Sequence, residues 1–356
     1  MVVNPNTGAA PIFRTQRDAD ITTAIYRRNP IFVDRRSGEK KVWPVRYCRM
    51  FDMATDSHLF KTQSILEKEG WYPVECNRWK KSEAKAVPLY EGKMVQSYDH
   101  RAASVKVNLE NLKRQAQTVE TTLDEHRDSN FSSNPLYWID ESAVTLPVGV
   151  TFVACHKKIT SPANVRTMIG AIIPRLGYGD SLPIFMPDET CSVEDYKKFA
   201  PLLVANLNAI PLDFVLRQKL QGLNLNLYIV EQLPLIRPEQ FEQTLGKTNI
   251  ADYVRGEVLH LSYTAHDLAP FARDLGYDGA PFAWDENDRR HRLARLDALF
   301  FHLYGLSRDD AAYILDTFPI VREHDEKTHG RYLTKDLILS YMNAVTAGDF
   351  TTIVQV

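Results

Sequence analysis

The chain has 356 residues, of which 44% are hydrophobic and 25% charged. This composition is typical of globular domains with hydrophobic cores, and the length predicts two or three of them. The net charge of −2 argues against a self-sufficient nucleic-acid binder, because such proteins are usually basic. It permits a module that contributes local basic patches to a larger complex.

The four cysteines are far apart and form no CxxC pair; they are Cys48, Cys76, Cys155 and Cys191. This spacing favours neither a zinc site nor a disulfide framework, which predicts a reducing, cytoplasmic location. No segment approaches the ~20 apolar residues that span a bilayer. We therefore expect no membrane partner.

Residues 1–70 are expected to be a linker and N-terminal segment that continues from a missing catalytic domain. Residues 1–20 begin with turn formers and contain no hydrophobic core of their own. Asp18 to Arg28 then predicts a helix. Asn29 and Pro30 end it, because the residue before a proline disfavours helical backbone.

Two further elements are predicted before residue 71. Trp43 to Phe51 alternates bulky and polar side chains, as a strand does. Asp56 is typical of a cap for a helix over residues 59–69, which Gly70 would end.

Residues 71–240 predict a mixed α/β domain with short strands, loops and helices. Thr151 to Cys155 and Met168 to Ile173 are apolar runs typical of buried strands. Pro201 to Leu220 predicts a helix with apolar positions at helical spacing. Pro211 must break or kink it.

Residues 241–356 are expected to be mostly helical. Helical spacing predicts short helices at Phe241 to Leu245 and at Ala311 to Phe318, with Ser307 opening a capping box before the second. Arg289 to Tyr304 predicts an amphipathic helix. Its expected buried residues are Leu293, Leu296, Leu299, Phe300 and Leu303, and its expected solvent-facing residues are Arg289, Arg290, Arg292 and Arg295.

The sequence lacks the motifs of an adenine-N6 methyltransferase. No glycine-bearing turn after a strand is evident for S-adenosylmethionine. The nearest approach to the Asn/Asp-Pro-Pro-aromatic loop is Asn134-Pro135-Leu136-Tyr137, where leucine replaces the second proline. Glu91-Gly92-Lys93 fits half of a nuclease motif, but no suitable acidic residue precedes it. The chain alone is therefore predicted to be non-catalytic and to hold no cofactor.

Several segments, in this order, resemble the C-terminal target-recognition region of large bacterial adenine-specific DNA methyltransferases and fused type II restriction-modification enzymes. The strongest is Pro88 to Arg101, and three of the segments are also similar to type I specificity subunits: Leu207 to Lys219, Asn224 to Asn226 and Glu231 to Pro234. The others are Asp56 to Thr62, Thr151 to Pro174 and Leu296 to Leu306.

The resemblance implies an α/β (mixed) target-recognition domain at 71–240 followed by a mostly helical C-terminal region at 241–356. It implies that the chain reads double-stranded DNA for an upstream methyltransferase domain, and that the parent enzyme uses S-adenosylmethionine. Whether a nuclease is fused to the parent stays open.

The predicted DNA-binding residues combine cations for phosphates with polar side chains for base edges. They are Lys93, Gln96, His100, Arg101, Lys157, Lys158, Arg166 and Asn224. Lys93 and Arg101 are expected on one positively charged surface that faces DNA. An internal ion pair of Arg101 with Asp99 is the alternative. Lys157 and Lys158 could equally be ordinary solvated charges, and turn chemistry alone accounts for Asn224.

The alternative function is a protein-interaction or scaffold domain of a phage-defence complex. The near-neutral charge and the helical C-terminal region favour this alternative, since neither feature is typical of a protein that binds DNA on its own.

Overall fold

The computed structural model describes residues 3–8, 13–36, 38–107 and 116–356. Helices and strands mix through the first two thirds of the described chain, and helices dominate the last third. The predicted mixed α/β class with a helical C-terminal region is confirmed at this level. Residues 1, 2, 9–12, 37 and 108–115 lie outside the described residues.

The described strands are short, and most have fewer than six residues. In chain order they are β1 Val33–Asp34, β2 Lys40–Lys41, β3 Val45–Cys48, β4 Tyr72–Val74, β5 Arg78–Lys81, β6 Ala84–Tyr90, β7 Ala103–Val107, β8 Ala116–Glu120, β9 Trp138–Asp140, β10 Phe152–His156, β11 Gly170–Pro174, β12 Gly177–Tyr178, β13 Ile184–Pro187, β14 Thr244–Leu245 and β15 Thr248–Asn249.

The described helices range from four residues in α6 and α7 to 18 residues in α10. They are α1 Gln16–Arg28, α2 Gln63–Lys68, α3 Leu123–Arg127, α4 Val193–Asn208, α5 Ile210–Arg217, α6 Leu227–Val230, α7 Pro238–Phe241, α8 Ile250–Ser262, α9 Ala269–Asp274, α10 Glu286–Leu303, α11 Arg308–Asp316, α12 Pro319–His329 and α13 Leu333–Thr346.

A four-stranded antiparallel sheet lies at the centre, with strand order β11-β10-β13-β3. Ala154 of β10 is opposite Ile172 of β11 on one side and Phe185 of β13 on the other. Every residue of β10, β11 and β13 is buried. These strands are covered on both faces, which explains their continuous apolar runs.

A second sheet has strand order β12-β6-β5-β4, with β9 also paired to β6. Strand β12 runs parallel to β6, while β5 and β9 pair with it antiparallel. Strands β6 and β10 end at Tyr90 and His156, and the segments that follow them, beginning with Glu91 and Lys157, carry several of the predicted site residues.

One apolar core joins the three predicted segments. Ile25 of α1, Phe185 of β13 and Leu299 of α10 all belong to the same cluster of buried side chains. A smaller cluster contains Leu66, Trp71, Trp79, Ala86 and Trp138. The predicted boundary near residue 240 therefore does not coincide with a break in the described core.

Several local predictions are confirmed. Helix α1 ends at Arg28 with Asn29 as its C-cap. Helices α4 and α5 meet at a 54° bend, because the chain leaves helical geometry at Ala209, and Pro211 begins the new helix. Ser307 and Asp310 form the predicted capping box.

Other local predictions are wrong. Thr62, not Asp56, caps α2, and Ser57–Leu59 is a separate 3-10 turn. The helix predicted from Phe241 to Leu245 instead ends at Phe241 and is followed by β14.

Helix α10 forms over the predicted residues, but two of its arginines face inward. Arg289 and Arg295 are both only 8% exposed. Arg289 donates to the carbonyl of Leu261 at 2.6 Å, and Arg295 donates to that of Phe350 at 3.0 Å. Backbone acceptors from distant segments thus stabilise guanidinium groups that were predicted to face solvent.

Within the described ranges, no single helix has the length and hydropathy of a membrane span. The bent pair α4 and α5 meets the criterion only when the two helices are taken together.

Candidate nucleic-acid interface

Three segments meet beside the ends of β6 and β10: residues 91–98, 157–168 and 218–228. We call this set the loop edge. The first segment begins with a 3-10 turn at Gly92–Met94. The amide of Gly92 donates to the Ser181 hydroxyl at 3.0 Å. A Cβ at position 92 would lie 2.5 Å from the Ser181 carbonyl oxygen, so only glycine permits this approach.

Backbone hydrogen bonds fasten the second and third segments to each other and the first segment to the central sheet. The amide of Tyr98 donates to the Gly170 carbonyl at 3.0 Å, and the amide of Lys157 donates to Ile169 at 2.9 Å. The amide of Leu225 donates to the carbonyl of Lys158 at 2.7 Å. The loop edge is therefore held by the ends of buried strands, which suits a rigid recognition surface.

Six of the eight predicted residues lie on the loop edge: Gln96 and Asn224 are exposed there, and Lys93, Lys157, Lys158 and Arg166 are partly exposed. Two of the lysines already have acidic partners. Lys93 lies 3.0 Å from Glu91, and Lys158 lies 3.0 Å from Asp180. Surface pairs of this kind are weak and can exchange for another anion.

Lys157 differs from its neighbours because it forms no ion pair within the described part of the chain. Partial burial desolvates the ammonium group and lowers the pKa of Lys157 below the ordinary lysine value. An approaching anion would reverse that cost. Lys157 is consequently the cation of the loop edge that is best placed to gain from a phosphate contact.

Apolar side chains are also exposed on the loop edge, which sequence reasoning missed. Ile159 is 55% exposed, Leu223 is 63% exposed and Tyr228 is 57% exposed. Ile159 and Leu223 are neighbours, since the Thr160 amide donates to the Leu223 carbonyl at 2.9 Å.

The prediction that Arg101 shares an exposed surface with Lys93 is wrong. Arg101 is fully buried, at 0% exposure. Its guanidinium donates to the carbonyls of His126, Asp128, Phe131 and Thr264 at 2.8–3.1 Å. Five acceptors, counting the Thr264 hydroxyl, stabilise the buried charge, so Arg101 joins two loops instead of facing solvent.

The alternative prediction, an internal ion pair of Arg101 with Asp99, is right only in placing Arg101 inside the protein, because its guanidinium forms no ion pair with Asp99 among the described residues. Asp99 accepts from the backbone amide of Arg101 at 2.8 Å, but its carboxylate also contacts His126 at 3.0 Å. Burial alone would raise the pKa of Asp99, and the hydrogen bond and charge of His126 outweigh it and lower that pKa. Asp99 therefore remains an anion near Arg101.

His100 is likewise buried, at 1% exposure, so the prediction that it lies at a DNA-facing surface is wrong. Its Nε2 lies 2.9 Å from a carboxylate oxygen of Asp267. Nearby, the ring of His126 stacks on the Trp284 ring, with centroids 3.9 Å apart, and the guanidinium of Arg289 lies 3.7 Å from the Trp284 ring centroid. These partners come from segments distant in the chain, so no local sequence pattern predicts the contacts.

Arg166 lies at the inner end of the loop edge and is mostly buried. Its Nη2 donates to Asp297 at 2.8 Å, while the other Asp297 oxygen accepts from the amide of Ile210 at 2.9 Å. Burial opposes the charge, but Asp297 and Asp213 raise the pKa of Arg166 above its ordinary value. Arg166 is therefore a cation paired with Asp297 in the interior, and the prediction that it is an exposed phosphate ligand is wrong.

A cavity of about 300 Å³ lies beside Arg166 and opens next to Gln96. The Nη1 of Arg166 is buried and has no hydrogen-bond partner in the described structure. Apolar side chains of α10 line one wall of this cavity.

Among the described residues, no group of three or more His, Cys, Asp or Glu side chains could hold a metal ion. No model of a known protein family matches the chain, and no curated protein matches it.

Proposed function

We propose that the chain recognises duplex DNA as the non-catalytic part of an adenine-N6 DNA methyltransferase or restriction-modification enzyme. The loop edge would bind the DNA, and S-adenosylmethionine would be bound by an upstream methyltransferase domain. The observation that carries the proposal is the convergence of six predicted residues on the loop edge, whose segments are held in place by backbone hydrogen bonds.

The chemistry of these residues suits both parts of DNA recognition. Lysines supply the phosphate contacts that set register, and amide side chains match adenine and other base edges. Among the predicted residues, Gln96 and Asn224 are the exposed amides, and Lys157 is the lysine that forms no ion pair within the described part of the chain. Backbone attachment to the central sheet keeps their relative positions fixed, which specific reading requires.

The electrostatics predict modest affinity for the isolated chain. Glu91 and Asp180 neutralise Lys93 and Lys158, two of the three predicted lysines. The whole chain carries a net charge of −2. Most of the phosphate affinity of the parent enzyme would then come from its other domains.

The exposed apolar side chains of the loop edge favour a second candidate, a protein-interaction or scaffold domain of a phage-defence complex. Ile159, Leu223 and Tyr228 give this edge the mixed character of a protein interface. A protein partner would bury these side chains, whereas DNA contact would depend on the lysines.

The test replaces two cations of the loop edge, Lys93, which follows Gly92, and Lys157, which follows β10. The double variant Lys93→Ala/Lys157→Ala is compared with the parent for binding a fluorescent duplex between about 50 and about 200 mM salt. If both lysines contact phosphates, affinity falls for all duplexes. The slope of log affinity against log salt then flattens by roughly one unit per contact.

A matched control removes two lysines from the opposite end of β6. Lys81→Ala/Lys85→Ala changes the net charge equally but lies away from the loop edge, since Lys81 and Lys85 flank the β5–β6 turn. The proposal requires the control to keep the parent salt slope. Equal slopes in both double variants, or no binding by the parent at any salt, would favour the scaffold candidate.

A further inference from the structure

The cavity beside Arg166 lies between the loop edge and the helical region. Leu293, Leu296 and Phe300 form one face of α10 toward it. Tyr98 and Asn208 also line it. The cavity volume of about 300 Å³ is at the lower end of the range for small-molecule sites.

The charges around the cavity balance one another. Arg166 pairs with Asp297 at 2.8 Å, and Arg217 lies 3.7 Å from Asp213. Asp213 also accepts from the amides of Thr167 and Met168 at 3.0–3.1 Å. A phosphate or carboxylate would upset this balance, so the site suits an uncharged ligand.

Two buried donors in this network, Arg166 Nη1 and Arg217 Nε, have no hydrogen-bond partner among the described residues, and of the two residues only Arg166 lines the cavity. The Nη1 of Arg166 is buried and makes no hydrogen bond within the described chain. A buried guanidinium N–H without an acceptor is costly, and a ligand carbonyl would remove that cost. Gln96 at the opening can both donate and accept.

From these features we infer that the cavity beside Arg166 binds an uncharged nucleobase that carries a carbonyl oxygen. The apolar face of α10 packs against the ring, and Arg166 Nη1 donates to the carbonyl. The base comes either from a free nucleoside or from a duplex that places one nucleotide outside its stack. The second source rests on the proposed DNA function, because Gln96 and Val165 belong both to the cavity lining and to the loop edge.

The first arm of the test measures binding of free inosine and adenosine to the full chain by calorimetry. Inosine has a carbonyl oxygen where adenosine has an amino group. If Arg166 Nη1 donates to that oxygen, inosine binds at least about tenfold more tightly than adenosine. Equal affinities would overturn the inference, and so would no binding of either nucleoside unless a base extruded from a duplex binds in the second arm.

A cavity-filling variant links the binding to this site. Val165 lines the cavity and is 40% exposed, so Val165→Trp can fill the opening without disturbing the core. Val148→Trp is the matched control, because Val148 is 96% exposed and lies outside the cavity. We expect Val165→Trp to abolish inosine binding and Val148→Trp to leave it unchanged. Removal of Arg166 is a poorer test, since it leaves Asp297 buried without its cation.

The second arm distinguishes the two sources of the base. It uses a duplex with pyrrolo-cytosine, a fluorescent base that has a carbonyl, opposite an abasic site. An unpaired base costs little to extrude. A fluorescence rise on binding that Val165→Trp removes identifies DNA as a source. DNA binding without that rise, together with tight inosine binding, identifies the free nucleoside.

The two arms separate failure of this inference from failure of the proposed function. If the duplex binds but neither inosine nor the pyrrolo-cytosine signal responds to Val165→Trp, the nucleobase site is wrong and DNA recognition stands. If no duplex binds, DNA recognition is wrong, and the inosine measurement still decides the nucleobase site.

Discussion

Replacement of Arg101 by methionine should destabilise the folded chain strongly. The guanidinium donates to four backbone carbonyls and to the Thr264 hydroxyl, all at 2.8–3.1 Å. Methionine has similar length but no donor, so these acceptors lose their partner and Asp99 and Asp267 lose a nearby cation. Breaking a buried charge network in this way costs about 3–5 kcal/mol of unfolding free energy.

Urea denaturation followed by tryptophan fluorescence measures this loss. Arg101→Lys should lose less, because it keeps the charge but lacks the planar fork that spans several carbonyls. Lys93→Ala is the control, since this surface change should alter stability by no more than about 0.5 kcal/mol. An Arg101→Met variant as stable as the parent, but weaker in DNA binding, would refute the buried placement of Arg101.

Three further changes test other parts of the structure. Gly92→Ala should lower the thermal midpoint, because its Cβ would lie 2.5 Å from the Ser181 carbonyl oxygen. Gly256→Ala in α8, where nothing lies within 4 Å of the added Cβ, should stabilise the fold by roughly 0.5–1 kcal/mol. A Gly92→Ala variant more stable than Gly256→Ala would contradict the packing at Gly92. Burial lowers the pKa of His156 to about 4. The unfolded chain thus binds more protons between this value and ~6.5, and stability falls on acidification through that window by at most about 1.4 kcal/mol per pH unit. Urea titrations at several pH values should show a smaller fall for His156→Phe, and an identical fall would exclude His156 as a source. Burial also lowers the pKa of Lys219 to about 7. Brief acetylation at neutral pH should therefore modify Lys219 before the exposed lysines, as measured by mass spectrometry. Slower modification of Lys219 than of the exposed lysines would count against a neutral amine.

Periodic patterns predicted the elements that depend on local spacing. Helix α10 and strand β10 formed close to their predicted bounds because apolar side chains recur at the intervals that each structure buries. The bend between α4 and α5 followed from Pro211.

The placement of charged side chains could not be predicted in the same way. Arg289 and Arg295 were expected in solvent because a charged residue is seldom buried without partners. Their partners are the carbonyls of Leu261 and Phe350, which lie 28 and 55 residues away in the chain. Only the tertiary fold brings such acceptors to the guanidinium groups.

The candidate site shows the same division. The loop positions of Lys157 and Asn224 followed from the end of a predicted strand and from turn chemistry, and both side chains are accessible. The burial of Arg101 depends on residues 126–131 and on Thr264, which no local pattern connects to it.

Amide hydrogen exchange of the full chain, with and without saturating duplex DNA, tests the central claim most directly. The account predicts slower exchange in residues 91–98, 157–168 and 218–228 when DNA is bound, and unchanged exchange around the β5–β6 turn. Protection confined to other parts of the chain, or no difference between the two samples at low salt, would contradict DNA recognition by the loop edge.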